Sequence, residues 1–164
     1  MKVAIALGSN LGDRAGYLRK AVAALRALFA PGSFRVSSVY ETDPVDCPPG
    51  SGPFYNAVAT GDYAGSVQEL LVALQKLESL EGRVDRAKNA PRPLDLDLLW
   101  AEGVRIETPG LTVPHPRAAE RRFVLEPWSE LDPDLRLPGQ NRNLRALLDG
   151  VDAGEAVRRV DLTL

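Results

Sequence analysis

Leucine and aspartate alternate through Leu94-Asp95-Leu96-Asp97-Leu98, the period of two that marks a strand with unlike faces. The leucines then point into a core. Asp95 and Asp97 share the other face, their Cα atoms roughly 6.6–7 Å apart. Near the start, the apolar run Val3 to Leu7 reads as a buried strand. Gly8-Ser9-Asn10-Leu11-Gly12 breaks it as a strand-to-helix turn, and Asp13 can cap a helix. Leu18, Ala21, Val22, Leu25, Leu28 and Phe29 follow the spacing of an amphipathic helix, which Pro31-Gly32 stops. Phe34 to Thr42, rich in β-branched and aromatic residues, predicts a second strand. Residues 43–53 hold four prolines and two glycines and form a loop too long for a simple hairpin turn. Phe54 to Tyr63 predicts a third strand. Ser66 can cap a second helix with the stripe Val67, Leu70, Leu71, Leu74 and Leu77, ended by Gly82.

With the Asp95/Asp97 strand, the order is β-α-β-β-α-β. That predicts an α+β, ferredoxin-like fold: an antiparallel sheet with both helices on one face. A doubly wound parallel sheet would need a helix between the second and third strands, where only the proline-rich loop stands. Further on, Gly103 to Glu107 predicts a short strand, and Phe123–Leu131 and Leu144–Leu148 short helices. Arg158 to Leu164 predicts a last edge strand.

Composition narrows the picture only in places. The 164 residues, without repeat or linker, suit one domain spanning 1–164. A net charge of −2 gives no broad electrostatic footprint for nucleic acid or for a membrane surface. The opening apolar run is too short for a signal h-region or a membrane span. Cys47 is the single cysteine, which excludes an internal disulfide and a cysteine-based zinc site and suggests a cytoplasmic chain. A monomer is expected.

Three groups of residues carry candidate chemistry. Asp95 and Asp97 can share divalent cations at the spacing that two-metal phosphoryl transfer uses, although a half-buried strand with an acidic outer face has the same pattern. Arg83, Arg86, Lys88 and Arg92 place four cations in ten residues leading into that pair. Such a cluster can grip polyphosphate or form an ordinary solvated loop. Gln75 and Glu78 lie on one face of the second helix. His115, the single histidine, sits between prolines with Arg117, Arg121 and Arg122 downstream. It can bond phosphate or serve structure alone. Phe54 and Phe123 can sandwich a flat heterocycle whose edge pairs with Asn56, or each ring can be core. Gly8 to Gly12 matches neither phosphate-binding glycine motif, and Cys47 reads as an incidental thiol.

Lys88-Asn89-Ala90-Pro91-Arg92-Pro93-Leu94-Asp95-Leu96-Asp97-Leu98-Leu99 resembles the signature of the 6-hydroxymethyl-7,8-dihydropterin pyrophosphokinase family. Four more blocks in the family's order strengthen the likeness: Ala6 to Gly12, Ser37 to Pro44, Phe54 to Val58, and Leu111 to Pro116 with Arg121 to Leu125. The resemblance implies transfer of pyrophosphate from ATP to the pterin hydroxymethyl group, releasing AMP, in folate biosynthesis. It implies that Asp95 and Asp97 hold two magnesium ions and that Arg92, His115 and Arg121 contact phosphates. Arg92, Asp95, Asp97 and Arg121 are then the catalytic set. Gln75, Glu78, Arg83, Arg86, Leu98 and Thr112 complete the ATP site. Thr42, Pro44, Val45, Phe54, Asn56, Asp95 and Phe123 form the pterin site. The sequence departs from the family at Asp85, where a second basic residue is usual, and at Lys88-Asn89, where some members carry tryptophan. Phe54 stands where a tyrosine also occurs. A two-metal nucleotidyl transferase or phosphodiesterase on the same sheet, or a non-catalytic interaction domain, is the alternative.

Overall fold

The computed structural model describes residues 1–43, 52–80, 93–151 and 157–164. The elements are β1 (Lys2–Ser9), α1 (Arg14–Leu28), β2 (Arg35–Val36), β3 (Val39–Thr42), β4 (Phe54–Asp62) and α2 (Val67–Leu80). Then come β5 (Asp95–Ala101), β6 (Ile106–Thr108), β7 (Leu111–Val113), a 3-10 turn (Ala118–Glu120), α3 (Arg122–Leu131), α4 (Leu144–Gly150) and β8 (Val157–Val160). Both predicted helix caps form. The Asp13 side chain accepts from the Gly16 N–H at 3.0 Å, and Ser66 Oγ from the Glu69 N–H at 3.1 Å, each satisfying an amide that the first helical turn leaves unpaired.

The main sheet runs β5-β1-β4-β3-β8, with β2 also beside β4. Its pairings are antiparallel, so the chain has the expected ferredoxin-like fold. The predicted second strand is split in two. At the break, Ser37 Oγ accepts from the Val58 N–H at 2.9 Å while the Ser37 N–H donates to the Val58 carbonyl at 2.9 Å. A side-chain oxygen thus takes a place in the ladder. β1 extends through Gly8 and Ser9, two residues that the glycine had assigned to a turn. A small hairpin, β6 with β7, adds a pairing that the sequence pattern did not give.

Both faces of the sheet are covered. Val3, Ile5 and Leu7 pack with Leu18 and Leu25 of α1, Leu70 and Leu74 of α2, and Leu94, Leu96 and Leu98. The opposite face builds a second core from Ala4, Val58, Leu99 and Trp100 against Val124, Leu125 and Trp128 of α3 and Leu144 and Leu147 of α4. The unbroken apolar run of β1 follows from this, because a strand buried on both faces has no polar alternation. Its alanines face the bulky α3 side, where Trp128 is fully buried. Between Ala4 and Ile5 the β1–β5 register shifts. That bulge lets Leu99 and Trp100 both enter the second core. Among the described residues, no helix is long and apolar enough to cross a membrane.

Candidate active site

Strand alternation places the site. Leu94, Leu96 and Leu98 belong to the core beneath α1 and α2, so Asp95 and Asp97 project from the α3 face. Both are half-buried. Across the sheet, Asp95 pairs with Gly8 and Gly8 with Asn56, while Asp97 pairs with Ala6 and Ala6 with Val58. The carboxylates therefore border a glycine and an alanine of β1. An ideal Cβ built on Gly8 would lie 3.2 Å from Asn56 Oδ1, 3.8 Å from Phe54 Cδ1 and 4.0 Å from Asp95 Cβ. Aspartate, asparagine and phenylalanine thus surround one glycine.

Asn56 is held firmly. Its Nδ2 donates to Thr42 Oγ1 at 2.6 Å, and both side chains are buried. This bond turns Oδ1 toward Gly8 as an acceptor. Thr42 and Phe54 are cross-strand partners, so the end of the β3–β4 ladder carries an amide and a ring side by side.

The segment after β7 runs along β5. The His115 N–H donates to the Leu99 carbonyl at 2.8 Å. His115 Nδ1 accepts from the Arg117 N–H at 3.2 Å, so the neutral ring carries its proton on Nε2. Burial pushes the His115 pKa below its ordinary value, and the positive charges of Arg121 and then Arg117 add to that, against an opposing pull from Asp95. The imidazole thus feels both arginines and Asp95. Arg121 precedes α3, and its guanidinium carbon lies 5.5 Å from the centroid of the Phe123 ring.

The remaining candidates scatter. Glu78 is buried, 6 % exposed, and accepts from the Leu96 N–H at 3.1 Å. It anchors the strand at the residue between the two aspartates. Gln75 is exposed on α2, Leu98 is inside the first core, and Thr112 is half-buried on β7 opposite Glu107. Pro44, Val45, Arg83, Arg86, Lys88 and Arg92 lie outside the described residues. Gly8 carries a role that sequence reasoning missed. A glycine ending an apolar run reads as a turn, whereas inside a strand it marks a close approach.

Among the described residues no group of three or more His, Cys, Asp or Glu could hold an ion. A pair of carboxylates suits a hard cation that keeps water and takes substrate phosphate oxygens, as magnesium does. The carboxylates stand on the same face of the sheet as Asn56 and Phe54, with His115 and Arg121 on the segment that follows β7.

The model of the family described as 7,8-dihydro-6-hydroxymethylpterin-pyrophosphokinase matches residues 4–133. A 2-amino-4-hydroxy-6-hydroxymethyldihydropteridine pyrophosphokinase of Bacillus subtilis is 45% identical over 127 residues, 77% of this chain and 75% of that protein. One of the same name from Pseudomonas aeruginosa is 40% identical over 147 residues, 90% of each chain. Among solved structures, wild-type Plasmodium falciparum HPPK-DHPS with pteroate superposes with a TM-score of 0.70 at 14% identity. It covers 91% of this chain and 42% of its own, a likeness of fold.

Proposed function

The chain belongs to the 7,8-dihydro-6-hydroxymethylpterin-pyrophosphokinase family, and on that premise we propose that it transfers pyrophosphate from ATP to 6-hydroxymethyl-7,8-dihydropterin, releasing AMP. Residues 1–164 then act as one catalytic domain, a cytoplasmic monomer whose partners are its two small-molecule substrates. The observation that carries the proposal is the cross-strand row Asp95–Gly8–Asn56, which puts a carboxylate and an amide on the two strands that flank one glycine.

Asp95 and Asp97 would hold two magnesium ions, which, when bound, draw charge from the triphosphate and align it. Arg92 and Arg121 donate to phosphate oxygens through planar forks, and His115 donates through Nε2–H. Arg83 and Arg86, as the family resemblance implies, would add positive charge for the phosphates. Gln75 and Thr112 would border the adenosine, with Glu78, buried on the Leu96 amide, and Leu98, inside the first core, supporting it from behind the strand. Phe54 and Phe123 stack on the pterin, Asn56 Oδ1 accepts from its edge, and Thr42, Pro44 and Val45 border it. The hydroxymethyl oxygen attacks the β-phosphorus in line. Its new bond replaces the bond to the bridging oxygen, whose electrons leave with AMP, and the hydroxyl proton passes to water. Positioning and charge neutralisation carry the rate, with Arg121 beside the developing negative charge.

Phosphorus NMR of the chain with magnesium, ATP and the pterin tests this. The expected products are AMP and a pterin diphosphate. Free pyrophosphate, the product of a nucleotidyl transferase, refutes it.

A further inference from the structure

The ring-binding end of the sheet has a short ladder. Three residue pairs join β3 to β4 there: Tyr40 with Asn56, Glu41 with Tyr55, and Thr42 with Phe54. Strand ends with so few pairs fray easily. Thr42, Phe54 and Asn56 point to the α3 face, so by alternation Glu41 and Tyr55 point to the other. On that far face a group of side chains closes over the same ladder. Arg14, the first residue of α1, donates through Nη1 to Glu41 Oε2 at 3.3 Å and to the Pro53 carbonyl at 3.0 Å. Its guanidinium carbon lies 3.8 Å from the centroid of the Tyr55 ring. One arginine therefore touches the residue before Phe54, the residue after it, and the residue before Thr42.

The other oxygen of Glu41 is also taken. Arg158 of β8 pairs in register with Glu41 and donates to its Oε1 at 3.2 Å, with Asp43 Oδ1 3.5 Å away. Arg158 lies beyond residues 4–133, the part that the family model matches. The Arg14 and Glu41 side chains are 27% and 26% exposed, so solvent and salt screen their ion pair less than a fully solvated one.

We propose that Arg14, Glu41 and Arg158 form a clasp behind the sheet that holds Thr42, Phe54 and Asn56 in register for the pterin, with Arg14 its central positioning residue. This rests on the pterin reading of the aromatic end. The clasp touches no substrate. It acts on the fraction of molecules whose ring and amide stand in place, and affinity falls in proportion to that fraction.

The test measures two affinities separately. Titration calorimetry gives the dissociation constant of a non-hydrolysable ATP analogue with magnesium, then of the pterin added to that complex. Steady-state kinetics gives kcat and KM. For Arg14→Ala, the pterin dissociation constant and KM rise about 5–10-fold, as for a competent fraction of about 10–20%. The analogue's affinity and kcat stay within about twofold. Arg158→Ala moves the same quantity in the same direction by less. Arg14→Lys restores only part of the loss, because an ammonium lacks the planar fork that spans Glu41 and Pro53 while stacking on Tyr55. The proposal is overturned if pterin affinity is unchanged, if both ligands weaken together, or if only the melting temperature moves. A wild-type chain that binds no pterin sinks the functional reading itself, before any variant is compared.

Discussion

Replacing Gly8 by alanine adds one methyl group at the centre of the site. Its carbon would stand 3.2 Å from Asn56 Oδ1, a few tenths of an ångström inside comfortable contact. Asn56 cannot yield freely, because its amide is buried and bonded to Thr42 at 2.6 Å. Either that bond stretches or β1 shifts away from β4. Overpacking of this kind costs about 1–3 kcal/mol. The methyl also narrows the space between Phe54 at 3.8 Å and Asp95 at 4.0 Å, so the loss falls on ring binding. A penalty of about 1–2 kcal/mol there raises the pterin KM about 5–30-fold. Stability moves less, because alanine reduces the freedom of the unfolded chain by about 0.4–1 kcal/mol and so offsets part of the strain. Calorimetric titration with the pterin and with a non-hydrolysable ATP analogue separates the effects. An unchanged pterin affinity, or an equal loss for both ligands, refutes the steric reasoning.

Two pH dependences follow. Burial, and then the charge and hydrogen bond of Glu130, push the Tyr40 pKa from 10.0 up to about 12. The folded state thus keeps a proton that the unfolded chain loses. Tyr40 contributes stability that is full below about pH 10 and is lost as pH rises toward about 12, at up to about 1.4 kcal/mol per pH unit. Urea midpoints for Tyr40→Phe should lack that part of the alkaline decline, and an identical decline in both chains contradicts the assignment. His115 behaves in the opposite sense, since its folded pKa lies below 6.5. Its contribution is present above about pH 6.5 and is lost as pH falls through the lowered value. With one histidine in the chain, the imidazole C2 proton resonance titrates without ambiguity in metal-free protein, and a midpoint above 6.5 overturns this.

Elements with strong periodicity were legible from the residues. Alternation gave β5 and the shared face of its aspartates, and helical spacing with Asp13 and Ser66 gave α1 and α2 with their caps. Three features were not. The second core was hidden because Ala4, Val58 and Leu99 meet α3 only through the sheet order, which periodicity does not encode. Gly8 read as a turn because glycine lacks the side chain whose absence matters only once Asn56 stands opposite. Ser37 broke the second strand by a side-chain bond to Val58, which composition cannot distinguish from continued pairing. Within the site, Asp95, Asp97, Phe54, Asn56 and His115 were found as residue types with suitable chemistry. Spacing put Glu78 on one helix face with Gln75 but could not show that its carboxylate is buried on the Leu96 amide.

The central claim is that Asp95 and Asp97 act together on a metal-bound triphosphate. Turnover of Asp97→Ala at saturating magnesium, ATP and pterin, measured beside its melting temperature, tests it most directly. Loss of several kcal/mol of charge stabilisation lowers kcat by about a thousandfold or more while the half-buried side chain leaves the melting temperature within a few degrees. Turnover near that of the wild-type chain contradicts the claim.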